Sequence, residues 1–315
     1  MKMTAIIVTT CTSRKRQKAP QSLLASNLPS NTQAGLTAEW LERVMAEQKL
    51  QCMPAAALYC GRGFSEALKV RQLLSSELWI ISAGLGLVRA EEMIPSYNLT
   101  LNSASPDSIL KRCKDAHFSY TQWWEKITLM HNKSFSFSEL ITHKDKNIFC
   151  ISVSKVYFDL IETDLLSLPD SALHRLRLFG LLKPGQMHER LSACLMPYDH
   201  RLDGPDTPIP GTCTDFPQRA MRHFIEEIYC NMPHASASQH AREITQRLTQ
   251  WRLPVLIQRQ RLPDEEIKRL IEQHWEEANS ATQMLRLLRD KKNIACEQKR
   301  LSLLYKVIET QRATT

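Results

Sequence analysis

Four groups of side chains carry the chemistry this chain could perform. The first is Thr10, Cys11, Thr12, Ser13, Arg14, Lys15, Arg16 and Lys18, a run of hydroxyls and cations directly after an apolar stretch. Hydroxyls, backbone amides and cations in one loop suit a phosphate or a nucleic-acid backbone. Thr10, Thr12, Arg14 and Lys15 are the residues expected to make those contacts. The Gly-x-x-x-x-Gly-Lys spacing of a nucleotide-binding loop is absent. Cys11 could serve as a nucleophile, but no histidine lies near it in sequence and a buried thiol is the plainer reading.

The second group is the turn Ser82-Ala83-Gly84-Leu85-Gly86 with Glu91, Glu92, Tyr97, Asn98 and Thr100 downstream. The apolar run Trp79-Ile80-Ile81 delivers a small hydroxyl and bare amides to the carboxyl end of a strand, where open α/β sheets hold their ligands. Ser82 and Tyr97 are expected to line a pocket there, and Asn98 to read the edge of a base. The competing reading is a strand-end turn whose tyrosine packs the core. Gly84-x-Gly86 lacks the third glycine of a dinucleotide fingerprint, and no cofactor is expected.

The third group lies between Pro197 and Pro217, where Asp199, His200, Asp203, Asp206 and Asp215 sit among prolines and glycines. Oxygen ligands of this kind hold hard cations, as in a metal nuclease. Asp and Pro are equally ordinary turn formers, no ligand spacing is fixed, and a metal is not expected. Arg219 and Arg222, on the first turns of the following helix, are expected to bind phosphate. The fourth group, Lys291, Lys292, Gln298, Lys299, Arg300, Ser302 and Lys306, surrounds a turn and the last helix. Lys292, Lys299 and Arg300 are placed to reach phosphates and base edges. Glu265, Glu266, Glu276, Glu277, Asp290 and Glu297 nearly balance them, so a partner-binding helical domain is the rival.

The elements that must position these groups follow from periodicity. Continuous apolar runs predict strands at 4–10, 53–60, 78–83 and 147–154, with helices over 37–48, 64–74, from the fourth strand through 166, and over 171–182. Strands apolar on both faces and separated by helices imply an α/β fold with a mainly parallel sheet flanked by helices. Trp123-Trp124 reads as a core corner. The segment 197–217 is a long irregular loop, a class that is commonly functional. Asp215 with Gln218 three residues on launches a helix through Tyr229. From 236 the text is helical apart from Val255-Leu256-Ile257, with helices over 264–278, 280–288 and 295–309. Three helices with a polar turn before the last suit a winged-helix or helix-turn-helix module. The expected domains are therefore 1–232, α/β, and 236–315, helical.

The chain has 315 residues, 43% of them hydrophobic, enough to bury a substantial core. Its formal charge of +8 favours a polyanionic partner, with DNA or RNA leading. The 9 cysteines are scattered singly with no Cys-x-x-Cys, which argues for a reducing compartment and against both a disulfide framework and a zinc knuckle. The amino-terminal apolar segment is shorter than the ~7–15 residues of a signal core, and no run reaches the ~20 of a membrane span. A soluble, cytoplasmic protein with no membrane partner is expected.

Four blocks in order resemble a bacterial and archaeal family of uncharacterised domains: Thr9-Thr10-Cys11-Thr12, Ala57-Leu58-Tyr59-Cys60-Gly61-Arg62-Gly63-Phe64, Ile81 to Val88, and Ile94 to Leu101. The family's text at these places reads roughly SC…K, LY-x-S-x-x-F, LSAKYGL and I-x-PYD-x-TL, and the resemblance covers about residues 1–195. Such domains are distantly similar to the YaaA proteins and to glycosylase-like domains of tRNA-guanine transglycosylases. The resemblance implies nucleobase or nucleic-acid business in genome-modification or phage-defence systems. Gly84 stands where the family usually has lysine, and Asn98 where it has aspartate.

Together these readings describe a nucleic-acid-binding protein that recognises or processes a base, with glycosidic-bond chemistry as the first reaction to consider. That chemistry needs a carboxylate against oxocarbenium-like charge, and Glu91 or Asp199 would supply it, with Ser82 and Tyr97 in the pocket. The rival is a non-catalytic DNA-binding or adaptor subunit with protein partners in a defence or modification system; a metal-dependent nuclease is third.

Overall fold

The computed structural model describes residues 5–47, 51–130, 136–143, 148–255 and 258–313. Thr4, Gln48, Asn147, Leu256 and Ile257, which the sequence reading placed in strands or a helix, lie outside the described residues. The chain divides into two compact units, Met1–Pro254 and Val255–Thr315.

In the first unit the described elements that position the site run β1 (Ala5–Thr10), α1 (Gln33–Glu47), β2 (Cys52–Pro54), α2 (Arg62–Leu74), β3 (Glu77–Ser82), β4 (Gly86–Arg89), β5 (Met93–Pro95), α3 (Tyr120–Met130), β6 (Ile148–Ser152), α4 (Lys155–Leu166), β7 (Leu176–Phe179), α5 (Phe216–His223) and α6 (Ala237–Leu248). The central sheet has the order β4-β3-β1-β6-β7. Its inner pairs are parallel and only β4 runs antiparallel, turning back on β3. Ile6, Ile7 and Val8 in β1, and Leu78 to Ile81 in β3, are buried, as a sheet covered on both faces requires. Helix α2 packs on β1, β3 and α5, α5 lies over β6 and β7, and α3 joins α1 to α4. The mainly parallel α/β architecture expected from the apolar runs is present.

Two expectations fail locally. Residues 53–60 do not form one strand: β2 ends at Pro54 and Ala55–Leu58 is a helical turn. The helix expected over 171–182 is instead a short turn at Asp170–Leu173 followed by β7, the outer parallel strand. Leu-Arg-Leu-Phe favours a helix by propensity, but pairing with β6 and burial of all four side chains override it. Arg177 is buried in that strand because its guanidinium donates to His240 Nδ1 at 2.9 Å and to the carbonyls of His174, Leu176 and Ala235. Through His240, Ile244 and Leu248, α6 belongs to the first unit's core, although the sequence reading began the second domain at 236.

The second unit has its own core, with Ile267, Ile271, Met284, Leu288, Leu301 and Ile308 at its centre. It consists of β8 (Gln260–Arg261), α7 (Asp264–Gln273), α8 (Ala281–Arg286), β9 (Ile294–Ala295) and α9 (Gln298–Ala313). β8 and β9 pair in parallel, Gln260 opposite Ile294 and Arg261 opposite Ala295. The helical path after α8 continues to Lys291, and Asn293 turns the chain at φ 59°, a left-handed value that Asn tolerates. No described helix is long and apolar enough to cross a membrane.

Candidate functional site

The strand order creates a topological switch point in the first unit. From β1 the chain crosses to β3 on one side, and later to β6 on the other. The loops leaving β1 and β6 therefore part in opposite directions, and the crevice outside their carboxyl ends is the topological switch point where open sheets bind ligands. The loop after β1 carries Cys11, Thr12 and Lys15; the helix after β6 carries Tyr157. Cys11 Sγ lies 3.1 Å from the Tyr157 hydroxyl across that crevice.

The loop is fastened to residues 58–60. Arg16 N donates to Leu58 O at 2.9 Å and Cys60 N to Arg14 O at 3.2 Å, while Thr12 Oγ1 reaches Arg14 O at 2.8 Å and Cys60 O at 2.9 Å. This bracing turns Lys15 inward. Its Nζ lies 4.2 Å from the centroid of the Tyr97 ring and 5.6 Å from that of Tyr59, and donates to Thr12 O at 3.2 Å. Burial lowers the Lys15 pKa from the ordinary amine value, partly opposed by Cys11, Asp107 and Cys60. Lys15, expected to reach outward to phosphate, is thus half-buried over aromatic faces, whereas Arg14 is exposed and Thr10 and Thr12 are half-buried.

Beneath Lys15 lies a buried chain of hydroxyls. Ser82 Oγ is 2.6 Å from Tyr97 OH, which is 2.8 Å from Tyr59 OH, and Ser82 Oγ also accepts from the amides of Leu85 at 2.9 Å and Gly84 at 3.3 Å. Burial pushes the phenols of Tyr59 and Tyr97 well above their ordinary values, so they are neutral donors at physiological pH. Trp40 packs edge-on against Tyr97 with centroids 6.1 Å apart and donates to Gly84 O at 2.7 Å; Trp123 donates to Ala83 O at 2.7 Å. A Cβ on Gly84 would come within 3.0 Å of the Tyr97 ring, so a larger residue here must displace that ring. Ser82 and Tyr97 are fully buried, and in this conformation neither presents a face to a base. Asn98 is half-buried with its backbone paired to Leu23 and Ala25.

The remaining residues singled out in the sequence are not gathered at this edge. Glu91 is exposed and paired with Arg71. Asp199 is held by Arg201 at 2.7 Å, which keeps its carboxyl below the ordinary value despite burial. Arg219 is not free for phosphate: it is 1% exposed, pairs with Asp203 and with Asp215 at 2.8 Å, and donates to the carbonyls of Leu202, Ile209 and Thr212. It is the internal anchor of the 199–215 loop. Arg222 pairs with Glu66 at 2.8 Å and Glu226 at 2.7 Å. Asp206 pairs with Arg252 at 2.5 Å. Among the described residues, His200, Asp203 and Cys213 bring potential ligand atoms within 4.8 Å of one another, but Asp203 is already bound to Arg219. The sequence assigns no site role to Tyr59 or Tyr157; Tyr59 follows a helical turn and Tyr157 lies in the first turn of α4, and only the fold brings them beside Cys11, Ser82 and Tyr97.

The second unit carries a different kind of site. A groove of about 640 Å³ is lined by Arg259, Arg261, Arg289 and Arg300, with Glu297 as its acid. Carbonyls hold three of the guanidiniums: Arg259 on Arg289 O at 3.0 Å, Arg289 on Cys296 O at 2.6 Å, and Arg300 on Leu262 O at 2.9 Å. Arg259 also faces Asp290 and Arg300 faces Asp264, while Arg261 is exposed with no partner among the described residues. Lys292 and Lys299 are exposed near it in sequence, and of the three expected contacts only Arg300 lines the groove.

Residues 41–135 match a family described as a family of unknown function (DUF6884). That span holds Tyr59, the Ser82–Gly86 turn and Tyr97, and stops short of the Cys11–Lys15 loop. No curated protein and no solved structure matches the chain.

Proposed function

We propose that this protein binds nucleic acid through its C-terminal unit and recognises or acts on a nucleobase at the carboxyl edge of its parallel sheet. The arginine groove carries the reading. Guanidiniums held in fixed positions by backbone carbonyls suit the phosphate oxygens of a nucleic-acid backbone, which they meet as bidentate donors. The chain's net charge of +8 has the same sense. In the finer form of the reading, α8 and α9 with the intervening turn act as a helix-turn-helix, and the start of α9 presents Lys299 beside the groove.

The test is binding of a labelled duplex and its single strand across a salt series. Four phosphate contacts give a log–log slope of about −3 to −4. Absence of binding to either form at low salt overturns the reading. A second reading, a non-catalytic adaptor subunit, is favoured by the sealed Ser82–Tyr97 pair. It expects Ser82→Ala and Tyr97→Phe to lower stability while leaving nucleic-acid affinity unchanged. Glycosidic chemistry through Glu91 or Asp199 has less support, since no hydrogen bond or ion pair among the described residues joins either carboxylate to the Cys11–Lys15 cluster.

A further inference from the structure

Lys15 differs from three other inward cations of its unit in having no carboxylate partner among the described residues. It differs from Arg177, which also has none, in that Arg177 is answered by His240 and three carbonyls. Arg219 is matched by Asp203 and Asp215, Arg222 by Glu66 and Glu226, and Lys155 by Asp159. Among the described residues no carboxylate lies within ion-pair distance of Lys15 Nζ. Asp107, the carboxylate that acts on it electrostatically, accepts a hydrogen bond from Ser26 N at 3.2 Å. The amine has one carbonyl, Thr12 O, and two aromatic faces.

We propose that Lys15 is a Schiff-base lysine, whose amine at the switch-point crevice condenses with an aldehyde carbon of a sugar. Desolvation without a counterion favours the neutral amine, the nucleophilic form, which is how lysines are recruited to imine chemistry. The amine lone pair forms the N–C bond and the carbonyl π pair moves to oxygen. The resulting carbinolamine then loses that oxygen as water, with the two N–H protons of the amine accounting for its hydrogens. No oxidant, reductant or metal enters the balance. The Cys11–Tyr157 pair flanks the same loop and offers O–H or S–H donors to the departing oxygen.

An aldehyde sugar can come from an abasic site in a nucleic acid or from a free sugar phosphate. The first source rests on the nucleic-acid reading above; the second does not. The experiment is reductive trapping with cyanoborohydride of the full-length protein, once with an abasic-site duplex and once with ribose 5-phosphate, followed by peptide mapping. Adduct at Lys15 exceeding that at any other lysine by about tenfold or more, lost in Lys15→Arg and kept in Lys18→Arg, is the expected result. Mapping the wild-type adduct decides the matter even if Lys15→Arg folds poorly. Adduct from ribose 5-phosphate alone retains the Schiff-base lysine and removes its nucleic-acid source. Adduct from the duplex alone retains both. No adduct with either probe, or adduct spread evenly over surface lysines, overturns the proposal.

Discussion

The sheet-edge cluster and the arginine groove handle polar groups in opposite ways. At the edge, Ser82, Tyr97 and Tyr59 are buried, mutually hydrogen-bonded and screened by Trp40, with an unpaired amine above them. In the groove, guanidiniums are pinned by carbonyls and left open to solvent on one side. Burial makes an interaction insensitive to salt and costly to disturb; exposure makes it salt-sensitive and cheap to disturb. The first region should therefore report through stability and covalent chemistry, the second through affinity. A useful experiment breaks one and leaves the other unmoved.

The largest effect is expected at Arg219, the fully buried anchor of the first unit. Arg219→Ala removes the cation shared by Asp203 and Asp215, leaving Asp215 only the exposed Arg62 at 2.9 Å, and should cost about 3 kcal/mol in denaturant unfolding. A loss below ~1 kcal/mol would show that the 199–215 loop does not depend on it. Next comes acid. Burial lowers His223 from 6.5 to about 4, and its Nδ1 lies 2.7 Å from Tyr198 OH. The unfolded chain binds the proton first, so stability is intact above pH 6.5 and falls as pH drops from there towards 4. The full loss is roughly 3 kcal/mol, and His223→Gln should flatten that segment of the pH–stability curve.

In the groove, Arg259→Glu with Arg261→Glu should weaken nucleic-acid binding by about 10–100-fold at low salt and flatten the salt slope, with a stability loss of about 1 kcal/mol from the broken Arg259–Asp290 pair. Equal affinity for the double variant and wild type would move the nucleic-acid surface elsewhere. The smallest effect is expected from Tyr97→Phe, which removes the hydroxyl joining Ser82 to Tyr59 and should cost about 1–2 kcal/mol. If it also changed affinity measurably, the sealed cluster would be communicating with the nucleic-acid surface.

Much of the fold was legible because β1, β3 and β6 are continuous apolar runs that no exposed element could carry. β7 was not, since Leu176 to Phe179 has no periodicity of its own and becomes a strand only by pairing with β6. The boundary after Pro254 was hidden for a similar reason: α6 has an ordinary helical pattern, and its allegiance is set by His240 meeting Arg177. At the site, Ser82, Tyr97, Cys11 and Lys15 could be singled out by type and setting. Their roles could not, because Tyr97 as an open stacking face and as a buried hydroxyl relay look identical in sequence.

Composition and local pattern alone determined the class of protein: a basic α/β chain with small and hydroxyl residues at strand ends and a helical tail. Local order sets those features through strand periodicity, turn chemistry and net charge. Only the tertiary structure decided that Arg219 is an internal anchor, that Arg259, Arg261, Arg289 and Arg300 converge, and that Lys15 lies unpaired over Tyr97 and Tyr59. A side chain's charge and reactivity depend on burial and on partners distant in sequence, and folding brings those partners together.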